Sequence, residues 1–452
     1  MLTADGLVLA HGIGGRQDLP VPFSYALVGA VAALVVSFVA LGLLWRTPRL
    51  DGPRAGRPLP LGVQRVVDSA PFAWSVRLVG LAATGFVAVA ALFGPDLATN
   101  PTASVVYVLF WVGLVPASLL LGPVWRLLNP LRTLHLLLAT ATRASPEQGL
   151  RALPYGLGLW PSALALLTFG WLELVSSDPS TLPVMRTYFG AYAGVMLVGA
   201  ALYGSRWFDR ADGLEVLSTL VGRLSPFGRR EDGRLVIRSP LQGLDTQPQV
   251  PGLVAVVTVM LGTTAYDGLS NSPWWIGVMQ DETLGGPVLT GTVGLVGTVA
   301  AFGAAYLAAT LAAARMGEAS SLSGSWAGSV LAPRAFAHSV VPIVVGYVVA
   351  HYFSLFVFEG QRTVILLSDP LVTGADLFGT AERGVDFGVV SAGAIAVVQV
   401  LGVVVGHVLG VVSAHDRAVR LFPRRQALAG QIPLLLLMVA FTLAGLVLLF
   451  AG

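Results

Sequence analysis

Cysteine and lysine are both absent from this chain of 452 residues, and charged residues make up only 11% of it. Without cysteine there is no disulfide, no thiolate nucleophile and no thiolate-held metal. Without lysine there is no Schiff-base chemistry and no phosphate loop ending in GKS/T. What remains is 55% hydrophobic, has a mean hydropathy of +0.77, and falls into apolar runs of about 20 residues, the length that crosses the hydrocarbon of a bilayer. The implied fold class is all-α, a polytopic transmembrane helix bundle.

Ten spans are expected, near 23–45, 72–93, 105–121, 160–177, 187–204, 251–268, 287–314, 336–358, 388–412 and 432–451. All 27 basic residues are arginines, and they are sorted by loop. With the N-terminus outside, the loops after spans one, three, five, seven and nine hold 5, 4, 7, 2 and 4 arginines, 22 together, and only Arg16, Arg186, Arg362 and Arg383 fall on the other side. Arg77, in the first turns of span two, can snorkel to the inner interface. Inner loops rich in basic residues set orientation. The basic excess therefore reports topology, and the expected partners are the lipid bilayer and other membrane subunits, with no nucleic acid.

The organisation is an external tail, 1–22, followed by a single transmembrane domain, 23–452, with amphipathic cytoplasmic segments at 122–159 and 205–250. In the first, Trp125, Leu128, Leu131 and Leu134 oppose Arg126, Arg132 and Arg143, the pattern of a helix lying on the membrane face; His135 belongs to it. In the second, a helical stretch stops near Pro226, and Arg229 to Ile237 reads as a hairpin around Asp232-Gly233. Val8-Leu9-Ala10 before His11 would suit a signal-peptidase cut if the true start lay upstream. A terminal amine with the His11 imidazole would then suit copper.

Polar groups inside the spans carry the chemistry, because an ionisable side chain in lipid is costly and marks a functional site by default. Four of the six histidines lie on spans eight and nine: His338, His351, His407 and His415, with Gln399 and Asp416 beside them. His338 and His351 are 13 residues apart, about 20 Å of rise and roughly 140° around a helix, so they cannot share an ion. One set is therefore inner, His338, His407, His415 and Asp416, and one outer, around His351. The carboxylates available to His351 are Glu173, Asp267, Glu359 and Asp18 in the tail. Imidazole and carboxylate together suit a divalent metal such as zinc, manganese, iron or copper, or a proton relay. The candidate catalytic residues are His351, Glu173 and Asp267, and the candidate metal ligands His351, His338, His407, His415 and His11. The glycines of GTVGLVGTVAAFG and QVLGVVVGHVLG point to close helix packing.

The strings HGIGGRQDLPVP, RLLNPLRTL, EVLSTLVGRLSPFGRR, IRSPLQGL, HSVVPIVVGYVVAHY and GHVLGVVSAHDRA resemble, over essentially the whole chain, a family of bacterial multi-pass membrane proteins labelled fenitrothion hydrolase. The resemblance implies hydrolysis of an organophosphorus triester at the cytoplasmic membrane, and no catalytic residues come with it. Such a reaction commonly uses a metal to polarise the phosphoryl oxygen and to activate water. Ion- or proton-coupled transport, or the assembly of a membrane complex, would use the same histidines in another way.

Orientation is directly testable. Reporter fusions at residues 55, 230 and 420 should read as cytoplasmic and one at residue 375 as the opposite side; a cytoplasmic signal at 375 would overturn the assignment.

Overall fold

The computed structural model describes residues 19–281, 285–317 and 326–450. His11 and Asp18 lie outside the described residues. In chain order the principal helices are α1 (Phe23–Leu44), α2 (Ala70–Phe93), α3 (Pro101–Leu121), α4 (Pro130–Ala141), α5 (Trp160–Leu174), α6 (Leu182–Tyr203), α7 (Gly213–Gly222), α8 (Leu253–Ser270), α9 (Pro287–Met316), α10 (Val341–Leu366), α11 (Ala392–Leu421) and α12 (Ile432–Leu449). The protein is an all-α polytopic bundle. Among the described residues nine helical stretches are long and apolar enough to cross a membrane. The one remaining expected span, the fifth at 187–204, corresponds to α6, whose 22 residues supply the length, while its tyrosines, its glycines and Arg186 make it less apolar than the rest.

Span eight departs from its expected start at 336. Ala337–Val340 forms a tight 3₁₀ turn, and α10 begins at Val341 with Pro342 in its first turn. Proline has no N–H to give and fixes φ, so it fits the first turn of a helix and resists its interior. At the other end α10 runs on to Leu366, past the expected end at 358, carrying a Glu359–Arg362 ion pair at 3.0 Å.

Glycine sets how closely the central helices meet. α10 and α11 pack along most of their length, and a methyl group on Gly346 would run into the Gly402 carbonyl. One on Gly406 would stand 2.6 Å from the Pro342 carbonyl, and one on Gly410 2.8 Å from that of Ser339. This is small-residue packing, which lets backbones approach where lipid offers no hydrophobic drive. α8 lies between α9, α5 and α10, and every residue from Val256 to Gly268 is buried.

The arginine-bearing loops gather at one end and are tied to one another. The loop after α1 pairs Arg57 and Pro58 (β1) with a hairpin of β2 (Phe227–Arg229) and β3 (Leu235–Ile237), in the order β1-β3-β2, all antiparallel. Gly233 takes φ +78° at the hairpin tip, as an Asp-Gly turn requires. Arg54 meets Glu231 at 3.2 Å and Arg417 meets Asp245 at 3.1 Å. Asp416 accepts from the Trp45 indole at 2.9 Å and from the Arg49 amide at 2.6 Å.

Substituting Gly406 by leucine should force α10 and α11 apart and cost about 1–3 kcal/mol or more of stability, the usual penalty for overpacking. Gly297→Ala, where a methyl meets open space, is the control and should melt in detergent like wild type. Equal melting of both variants would refute the close approach.

Candidate functional site

α8 and α10 are the two most enclosed spans, so a polar side chain on either has no route to water and must find partners on the neighbouring helix. Asp267, fully buried near the end of α8, does so. Its Oδ2 accepts from the Tyr352 hydroxyl at 2.6 Å and from His351 Nε2 at 2.9 Å. Successive helical residues point about 100° apart, so His351 and Tyr352 hold the carboxylate oxygen between them, their rings edge-on with centroids 4.8 Å apart. The Tyr347 ring lies parallel to His351 at 5.8 Å, one turn down the same face. Its hydroxyl stands 2.7 Å from where a Gly268 Cβ would be, so the glycine after Asp267 leaves the room that the phenol needs. Glu173, half-buried near the end of α5, is within electrostatic reach of both Asp267 and Tyr352.

The opposite wall is irregular. Within α3, residues Val105–Val112 are wound as a π-helix packed against α10, with the Trp111 indole beside the Tyr352 hydroxyl. A π-helical segment is rare and frequently occurs at functional sites. Nothing in VVYVLFWV announces it.

The structure thus brings His351 and Asp267 together, with Glu173 at their edge, and separates the other candidates. His338 lies against the main chain of Ala335 and Ser413. His407 Nδ1 bonds the Val403 carbonyl at 2.8 Å, within its own helix. His415 is held on both sides, Nδ1 to Gln431 Oε1 at 2.8 Å and Nε2 to the Trp45 carbonyl at 2.9 Å. His338, His407, His415 and Asp416 do not converge into one inner cluster: their partners lie on different elements. Glu359 is taken by Arg362. Among the described residues no group of three histidines or carboxylates is placed to hold a metal. At the outer pair His351 Nε2 is bonded to Asp267. His135 bonds the Pro146 carbonyl at 3.1 Å and packs on Phe208, a structural role in α4.

A second buried polar group escaped sequence reading altogether. At the arginine-rich end Asn129 donates to Asp212 at 2.8 Å and to Glu215 at 3.2 Å, and Arg132 holds Glu215 with both Nε and Nη2, reaching Asp209 as well. Asn129 and Asp212 also cap the first turns of α4 and α7. Burial pushes the Glu215 carboxyl up to about 7, against the pull of the Arg132 guanidinium. Two caps facing each other explain the arrangement, and its donors and acceptors are matched.

Comparison with protein-family models, with curated proteins and with solved structures gives no match for this chain.

Removing the shared acceptor should cost more than removing one donor. Asp267→Ala strands two buried donors and should destabilise by about 3–5 kcal/mol, whereas Tyr352→Phe loses one bond to a charged group, about 1.5–3 kcal/mol. Melting midpoints of the two variants in detergent check the order; the reverse order would deny Asp267 its central place.

Proposed function

We propose that this is a multi-pass protein of the bacterial cytoplasmic membrane in which Asp267, His351 and Tyr352 form a proton-exchange site in the outer half of the bilayer, serving proton-coupled transport. The observation behind it is the shared Oδ2 of Asp267, bonded at once to an imidazole and a phenol in a fully buried setting. A lone carboxylate there is expensive, and a proton held within the Asp267–His351 pair neutralises it. Release of that proton restores the charge, and a buried charge changes what neighbouring helices can tolerate. Chains of Asp, Glu, His and Tyr inside membranes are the usual means of moving protons. The N-terminus outside the cytoplasm, expected from the arginine pattern, places this end of α8 toward the outer face.

A second reading is organophosphorus triester hydrolysis, for which the resemblance to the fenitrothion hydrolase family speaks, together with the carboxylate bonded to His351, since a carboxylate that orients an imidazole is also how a general base is built. In that case His351 would take a proton from attacking water.

The two readings separate by experiment. In proteoliposomes holding a pH-sensitive dye, wild type should speed the decay of an imposed pH gradient, and Asp267→Asn and His351→Gln should not. Infrared difference spectra between acid and alkaline buffer should show a carboxyl band that Asp267→Asn removes. Absence of both effects rejects the proton site. If purified protein instead releases phenol from a phosphorothioate triester, losing this with His351→Ala and keeping it with His135→Ala, the hydrolase reading prevails.

A further inference from the structure

Between α8, α9, α10, α11 and α12 lies a small space lined by Leu261, Phe302, Ile343, Phe441 and other apolar side chains, with two polar exceptions, Tyr347 and His407. Both exceptions are more than nine-tenths buried. The Tyr347 hydroxyl and His407 Nε2 have no hydrogen-bond partner among the described residues. Leaving a buried polar atom unpaired costs about 1–3 kcal/mol, and two such residues lining one space ask for an occupant. The room open to the centre of a water molecule is ≈ 10 Å³, about one water's need. No apolar ligand of useful size fits, and no other titratable group lines the space.

The position of this space gives it meaning. Tyr347 stands between it and the outer site: its ring is parallel to His351 at 5.8 Å, and its hydroxyl, next to Gly268, is within electrostatic reach of Asp267. His407 lines the space from α11, one ring nitrogen anchored to the Val403 carbonyl and the other without a partner among the described residues. An imidazole anchored at Nδ1 as a donor presents Nε2 as an acceptor, which suits a water's O–H.

We propose that the space holds a water molecule bridging Tyr347 Oη and His407 Nε2, and that this bridge carries protons between the Asp267 site and the middle of the bundle. The proposal rests on the proton-exchange reading of Asp267 and His351, and adds the route inward. In a transfer, His407 Nε2 accepts a proton from the water, the water takes one from the Tyr347 hydroxyl, and Tyr347 regains its own from the His351–Asp267 pair; no proton is lost or gained overall.

The test uses the full-length protein in liposomes and infrared spectra recorded in ordinary and ¹⁸O-labelled water. A sharp O–H stretch from an internal water should shift with the isotope and vanish in His407→Leu. Tyr347→Phe keeps the ring in place, guards against a folding failure of the histidine variant, and should remove the band too. In both variants deuterium exchange at the Asp267 carboxyl, initiated from the side of the arginine-rich loops, should slow about tenfold, the kinetic equivalent of about one hydrogen bond. An isotope-insensitive spectrum in wild type overturns the water, and a water band with unchanged exchange in both variants overturns the route. If wild type lacks the Asp267 band altogether, the parent reading fails and with it the route, while the isotope shift still decides the water.

Discussion

A carboxylate that cannot reach water has to be served by its neighbours, and around Asp267 this requirement fixes the helices that surround it. α8 is covered on all sides, so the acceptor must be matched by donors from α10. Both come from adjacent residues, His351 and Tyr352, which constrains the rotation of α10 as well as its height. A turn earlier, Tyr347 needs Gly268 to be a glycine. The polar contact and the close packing are therefore one constraint: the helix that brings the donors must come near enough to leave no space for a Cβ.

The same economy of space governs α10 against α11. With glycines at 346, 402, 406 and 410 the two helices approach through their backbones, and this contact sets the level of His407 relative to His351. Were these positions alanine or larger, α11 would stand off and the cavity beside Tyr347 would widen toward lipid. The space beside Tyr347 and His407 is bounded by the tightly packed α10 and α11 on one side and by α8, α9 and α12 on the other.

Much of this was legible in the sequence. Span length, span number, the glycine-lined packing of α11 and the hairpin at Asp232-Gly233 follow from hydrophobic run length, small residues and turn chemistry, all of which act locally. The separation of His338 from His351 follows from helical rise alone. That Asp267 would be the carboxylate to meet His351 was only one of several possibilities, since sequence shows each residue's height on its helix but not which helices are neighbours. Tyr352 carries no signal in the sequence because a residue one step from His351 points elsewhere on an isolated helix; it matters only because Asp267 sits in the angle between the two. The π-helical winding of α3 and the facing caps Asn129 and Asp212 depend on tertiary packing and leave no local mark.

Histidine identity alone did not sort these residues; the atoms that each ring nitrogen touches do. His415 faces an oxygen acceptor on both nitrogens, and the Gln431 amide is itself oriented by its bond to the Ala427 carbonyl. Bonded at both ring nitrogens, this ring is a latch between α11, the end of α1 and the start of α12. His135 is likewise spoken for by the Pro146 carbonyl and the Phe208 ring. His351 and His407 differ in kind. One bonds a carboxylate, and the other anchors a single nitrogen beside the space it lines with Tyr347. A histidine can take part in proton movement only where the change of state leaves no stranded partner, and on the proposed reading that condition falls to the pair that flanks Tyr347.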